Sequence, residues 1–292
     1  MKTSKFLHDD AAFTRGTGPR DRPSISGPQS IPGPQSIPGS LSIPGSLSIP
    51  GTQSFPGRPS DPRRLSIAET FISRQGEGQL TGRRSFFIRT SGCNLRCHFC
   101  DTPYASWSPE GQWRSLDDVV SEARSANVDH VVLTGGEPLV SHAVPDLCRE
   151  LRGGGLHVTV ETAGTLDVEL ECDLLSLSPK LAGSAPAPDG HPDWHRRHQR
   201  RRLPLGVMRR LIDRSPRFQV KFVVEGESDF PEIESIIDAL SLPADTVWLM
   251  PEGTTSETLD QAQAWLRPYV ERNGFHFCDR LQIRWYGNRR GT

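Results

Sequence analysis

From residue 64 onward, apolar runs of strand length alternate with amphipathic stretches of helix length, and this rhythm restricts the fold more than any other feature. LSIAETFIS (65–73) and SFFIRTSG (85–92) read as strands on either side of the Gly-rich turn RQGEGQLTG. DHVVLTGGEPL, LHVTVETAG, CDLLSLSPK, FQVKFVVEG and DTVWLMPEG read as further strands. Between them, SLDDVVSEARSA reads as a helix with Ser115 as its N-cap and Asp117 and Asp118 in its first turn. VPDLCRELRGGG, FPEIESIIDAL and SETLDQAQAWLRPYVERNG read as helices too. Such alternation predicts an α/β fold with a parallel sheet and right-handed crossovers. Four of the strands run into polar or Gly-rich loops, TGGEP, ETAGT, SPK and MPEGT, at the sheet edge where α/β folds bind ligands.

Residues 1–63 are of another kind. A six-residue unit repeats from Ser24 as SISGPQ, SIPGPQ, SIPGSL, SIPGSL, SIPGTQ and SFPGRP. Pro and Gly in every unit break helix and sheet, and one Ile or Phe per unit buries too little surface to offset ordering. A disordered low-complexity tail is expected there, with residues 64–292 forming the folded domain. Residues 184–204, rich in Arg, His and Pro, interrupt the strand–helix rhythm and read as a solvated loop insertion; an anion or RNA contact is the alternative. The net charge of −1 supplies no global field toward nucleic acid or membranes. There is no apolar run of transmembrane length and no secretory h-region at the N-terminus, so no membrane partner and a cytoplasmic location are expected.

Three of the six cysteines, Cys93, Cys97 and Cys100, fall within eight residues as CNLRCHFC. Thiolates are soft ligands suited to zinc and iron–sulfur centres. Structural zinc takes four ligands, usually in two pairs, and here no second pair exists. His98 is a conceivable fourth ligand but adjoins Cys97 in sequence, and Cys148, Cys172 and Cys278 lie in apolar elements that suit core packing. Three cysteines on a four-iron cluster leave one iron open.

The CxxxCxxC triplet, with Phe99 before its third cysteine, resembles the defining motif of the radical S-adenosylmethionine superfamily, and TGGEPL (134–139) resembles that superfamily's GGE motif. QGEG (75–78), FFIRTSGCN (86–94), CDTPYA, ETAGT, LSLSPKLAGS and the closing WYGNRRGT narrow the likeness to the 7-carboxy-7-deazaguanine synthase family, over residues 67–292. The resemblance implies a modified, partial (β/α) barrel of the radical SAM type and a homodimer. It implies a radical ring contraction of 6-carboxy-5,6,7,8-tetrahydropterin to 7-carboxy-7-deazaguanine and ammonia in queuosine biosynthesis. The cofactors implied are a [4Fe-4S] cluster on Cys93, Cys97 and Cys100, S-adenosylmethionine, and Mg2+ on Thr102, with a flavodoxin- or ferredoxin-type electron donor. No nucleic-acid partner is expected. A glycyl-radical-activating or other radical enzyme, and a non-catalytic metal-binding module, are the alternatives.

The same resemblance assigns residues to ligands. Substrate contacts fall on Arg74, Gln75, Gly76, Glu77, Arg89, Thr134 and, at the chain's end, Thr292. S-adenosylmethionine contacts fall on Gly136 and Glu137, on Ser178, Pro179 and Lys180, and on Leu249, Met250, Pro251 and Glu252. The chemistry of the side chains agrees: Arg89 can grip a carboxylate through two parallel hydrogen bonds, Gly76 permits close backbone approach, and a Thr102 hydroxyl is a hard donor that suits Mg2+. No side chain is expected to act as acid or base; the 5′-deoxyadenosyl radical carries the chemistry.

Overall fold

The first strand, β1, spans Arg64–Arg74. The computed structural model describes residues 61–292, so the repeats of the expected tail lie outside the described residues. The chain turns through residues 75–83 into β2 (Arg84–Thr90), which pairs antiparallel with β1. Phe71 and Phe87, opposite each other in that register, stack with ring centroids 4.9 Å apart. After the cysteine loop comes β3 (Gln112–Ser115), which pairs with the other side of β1 and leads into α1 (Leu116–Ser125). Ser115 caps α1 as expected, its hydroxyl accepting from Asp118 N at 3.1 Å.

The remaining elements are β4 (His130–Gly135), α2 (Val144–Gly153), β5 (His157–Thr162), β6 (Leu174–Leu177), α3 (Pro192–Arg201), α4 (Leu205–Arg214), β7 (Phe218–Val224), α5 (Phe230–Leu240), β8 (Val247–Pro251), α6 (Ser256–Asn273), β9 (His276–Phe277) and α7 (Leu281–Tyr286). The strands form one sheet in the order β3-β1-β2-β4-β5-β6-β7-β8-β9, parallel from β2 to β9. Its two edges, β3 and β9, do not meet in that order, so the sheet is open. Ile88, Leu133, Val160, Leu177, Phe222 and Leu249, one from each successive parallel strand, are fully buried in a continuous core. Leu147 and Leu151 of α2, Ile233 and Ile236 of α5 and Leu266 of α6 join the same core.

Three helices and two short strands depart from the sequence pattern. The run 184–204, expected as a solvated loop, contains α3, and His198 on that helix is fully buried. Its polar composition hides the helix because Trp194 and His198, not aliphatic residues, form its inner face. Strands β3 and β9 have four and two residues, too few for a periodic signal. Truncating a central strand residue should show how much the sheet core matters. Leu133→Ala is expected to lower unfolding free energy by about 2–5 kcal/mol, and Ser115→Ala, which removes only a helix cap, by about 1 kcal/mol. Urea unfolding followed by circular dichroism measures both.

Candidate active site

Because β2 and β4 to β8 run parallel, their C-terminal ends open on one side, and the loops leaving them surround a cavity of about 630 Å3. Cys93, Cys97 and Cys100 lie on its wall, in the loop that leaves β2. The turn after β4 is stitched onto that loop: Gly136 N donates to Thr90 O at 3.1 Å, and Glu137 N to Gly92 O at 2.9 Å. A Cβ on Gly136 would collide with the backbone oxygens of Gly92 and Ala105, so only glycine allows this approach. The Glu137 carboxylate is buried and accepts from Leu139 N (3.0 Å), Thr162 Oγ1 (2.7 Å) and Ala163 N (2.8 Å). It therefore binds the turn after β4 to the one after β5, while Gly136 lines the cavity.

The hairpin turn supplies the opposite wall. Arg74, Gln75, Gly76 and Glu77 all line the cavity. Gln75 Nε2 donates to Glu161 at 3.1 Å. Glu77 is held between Lys221 Nζ, which donates to it, Gln282 Nε2 at 2.6 Å, and Arg280 Nε at 3.6 Å. Burial on its own would raise the Glu77 carboxyl, but Lys221 and Arg280 outweigh burial and hold it at about 2. Arg280 also pairs with Asp101, just after the last cysteine of the loop, and donates to Gly253 O at 2.7 Å. Arg89 faces the cavity while its Nε donates to Glu69 at 2.7 Å.

Thr102, Thr134, Ser178, Lys180, Met250 and Thr292 line the cavity as well. Lys180 Nζ donates to Ser178 Oγ at 2.7 Å and lies within electrostatic reach of Cys97. Five of the residues singled out in the sequence do not reach the wall: Glu137, whose carboxylate is held by protein donors, Pro179, Leu249, Pro251 and Glu252. Leu249 and Pro251 are buried in β8, Pro179 is buried between Ser178 and Lys180, and Glu252 donates its N–H to Val224 O at 2.9 Å. Alternation along β8 explains Leu249 and Pro251, since successive side chains point to opposite faces and Met250, between them, lines the cavity. The sequence reading missed Lys221, Glu161, Arg280 and Gln282, which complete the polar wall. Lys221 was detectable as a lone charge in the middle of the apolar strand FQVKFVV; Arg280 and Gln282 follow the last strand and carried no such contrast.

The thiols fit an iron–sulfur cluster. Burial pushes the Cys93 thiol up to about 12 and the Cys97 thiol up to about 11, and all three thiols face one cavity. Leu95 N donates to Cys93 Sγ at 3.4 Å, and Ser106 Oγ lies 3.1 Å from Cys100 Sγ, the kind of outer contact that orients thiolate ligands. His98, the one histidine in the loop, pairs with Glu225 at 2.9 Å instead of joining the thiols. Among the described residues, no three His, Cys, Asp or Glu side chains form a single-ion site.

Comparison with known proteins agrees with this geometry. The model of the Radical SAM superfamily matches residues 87–224. A 7-carboxy-7-deazaguanine synthase of Rhodopirellula baltica is 54% identical over 228 residues, covering 78% of this chain and 89% of that protein. One from Halobacterium salinarum is 44% identical over 230 residues, covering 75% and 89%. The crystal structure of QueE from Escherichia coli shares the fold with a TM-score of 0.54 at 22% identity, over 74% of this chain and 93% of that one. The open sheet and the three-cysteine wall thus define a radical S-adenosylmethionine enzyme, with a [4Fe-4S] cluster and S-adenosylmethionine as cofactors. Within that class, the chain belongs to the 7-carboxy-7-deazaguanine synthase family, whose members are lyases.

The Glu77 cluster sets a pH dependence. Its carboxyl, ordinarily near 4.5, is held at about 2 in the fold, so the stabilisation is complete above pH 4.5 and is lost as pH falls toward 2. Glu77→Gln leaves Lys221 and Arg280 buried beside a neutral group. It is expected to cost about 3–5 kcal/mol at pH 7 and to flatten the loss of stability on acidification, measured by urea unfolding at pH 7 and at pH 3.

Proposed function

We propose that the chain converts 6-carboxy-5,6,7,8-tetrahydropterin to 7-carboxy-7-deazaguanine and ammonia in queuosine biosynthesis. The observation that carries this reading is the convergence, in one cavity, of the three cysteines with a guanidinium, Arg89, and an amide-and-carboxylate wall formed by Gln75 and Glu161. A cationic fork suits the substrate carboxylate, and neighbouring donors and acceptors suit the amino-pyrimidinone edge. When bound, a cluster held by Cys93, Cys97 and Cys100 would, with S-adenosylmethionine, supply radical chemistry at the cysteine wall.

The protein's own groups bind and orient. Arg89 exchanges Glu69 for the substrate carboxylate. Gln75, with the backbone of Gly76, and Arg74 hold the pterin against the hairpin wall, with Thr134 and Thr292 as further contacts. A Cβ on Gly76 would strike Gln282, so the turn passes the end of the chain without a side chain between them. Gly136 and Glu137 shape the turn that receives the methionyl group, and Ser178 and Lys180 receive the rest of S-adenosylmethionine. Pro179, Leu249, Pro251 and Glu252 support those loops from behind, while Met250 faces the ligand. Thr102, on the cavity wall, would hold Mg2+ through its hydroxyl, a hard oxygen donor. The enzyme works as a homodimer in the cytoplasm and takes its electron from a flavodoxin- or ferredoxin-type protein.

Anaerobic reconstitution tests the reading. Conversion of the carboxypterin in the presence of Mg2+ and a reductant is expected, and cleavage of S-adenosylmethionine without conversion would overturn it. Cys97→Ala is expected to abolish turnover. Arg89→Gln is expected to lower kcat/KM by about 10- to 100-fold, the worth of a charge-assisted hydrogen-bond pair. An unchanged kcat/KM would remove Arg89 from the substrate site.

A further inference from the structure

The basic run 184–204 has no part in the reading above, yet its side chains contact the cysteine loop at point after point. His198 is fully buried, and its Nδ1 accepts from Arg96 N, between Cys93 and Cys97, at 3.2 Å. Its Nε2 lies 2.9 Å from Ser184 Oγ, which itself donates to Leu181 O at 2.6 Å. The imidazole is therefore neutral, protonated on Nε2; burial holds it down at about 4. Ser184 O in turn accepts from His98 N at 3.0 Å. Arg201 donates to Asn94 O at 3.3 Å. Trp194 covers the guanidinium of Arg96 at 4.1 Å, and that buried guanidinium donates to Cys93 O (2.8 Å) and Leu95 O (2.7 Å).

The same helix grips the loop that carries Lys180. Arg202, just past α3, donates to Lys180 O at 2.8 Å and to Glu232 at 2.6 Å, and Gln199 donates to Ala182 O at 2.9 Å. Only part of the run's charge faces outward, as in Arg196 and Arg200. A helix holding a bare RNA-binding face would not bury its histidine or cover a loop guanidinium with its tryptophan.

Resting on the radical SAM assignment, we propose that the segment 184–202 is the mould of the cluster loop, and that His198 and Arg96 are positioning residues that set the spacing of Cys93 and Cys97. The backbone groups of five consecutive residues of the loop, 94 to 98, are each tied down: the Asn94 carbonyl by Arg201, the Leu95 carbonyl by Arg96, the Arg96 N–H by His198, the Cys97 carbonyl by Trp107 Nε1 at 2.9 Å, and the His98 N–H by Ser184. A loop fixed in this way presents its thiols in one arrangement before iron arrives, which lowers the ordering cost of binding the cluster.

The test compares reconstituted full-length His198→Ala, His198→Asn and Arg201→Met with the unaltered chain, and with Arg200→Ala as an exposed control on the same helix. The readouts are iron retained after desalting and the electron paramagnetic resonance spectrum of the reduced cluster with S-adenosylmethionine. His198→Ala is expected to hold its cluster about 10- to 100-fold less tightly, the usual effect of losing an outer-shell partner, and to give a heterogeneous spectrum. His198→Asn, whose amide oxygen can accept from Arg96 N, is expected to restore both in part, and Arg200→Ala to match the unaltered chain. If His198→Ala does not fold, Arg201→Met carries the test, with a smaller loss and a broadened spectrum expected. Unaltered iron retention and spectrum in the folded His198 or Arg201 variants would overturn the proposal. These readouts do not depend on which substrate the enzyme takes, so they separate failure of the mould from failure of the pterin assignment.

Discussion

A carboxylate buried against two cations organises the cavity. Glu77 leaves water only because Lys221 and Arg280 meet it, and each of the three comes from a different stretch of chain: the β1–β2 turn, strand β7 and the segment after β9. Removing one such partner weakens the compensation of the others in a region of low dielectric, so the three stretches support one another. Arg280 extends the constraint to Asp101, beside the last cysteine of the loop, and to the backbone after β8. Charge pairs thereby tie the hairpin turn, strand β7, the segment after β9 and the cysteine loop to one another.

On that frame the division of labour follows the two kinds of loop. The turns after β4 and β5 are short, Gly-rich and joined by Glu137, whose carboxylate accepts from three protein donors. The cysteine loop is longer and irregular, and the backbone groups of its residues 94 to 98 are satisfied by Trp107, by the loop's own Arg96 and by the segment 184–202. A site that generates a radical gains from both arrangements, because preorganised binding groups hold the reacting atoms in place at no further ordering cost.

The fold was legible where periodicity was strong. Seven strands and four helices follow from alternation and capping, down to Ser115 at the start of α1. The cysteines, Arg89 and the hairpin turn were legible from motif chemistry, and they share one cavity. What stayed hidden depended on long-range pairing. Lys221 looks like an anomaly within its strand until Glu77, 144 residues away, is placed against it. Helix α3 was hidden because its inner face is a tryptophan and a histidine whose partners lie in the cysteine loop, about a hundred residues earlier in the chain. Leu249 and Pro251 were placed at the ligand by motif position, but strand alternation turns them toward the core.

In the proposed reaction, the C6 hydrogen of a carboxypterin leaves and is returned at the end of each cycle. Turnover of substrate deuterated at C6 tests this most directly. Deuterium is expected in the 5′ position of the recovered S-adenosylmethionine, in step with formation of 7-carboxy-7-deazaguanine. Product formation with no deuterium in the recovered S-adenosylmethionine would contradict it.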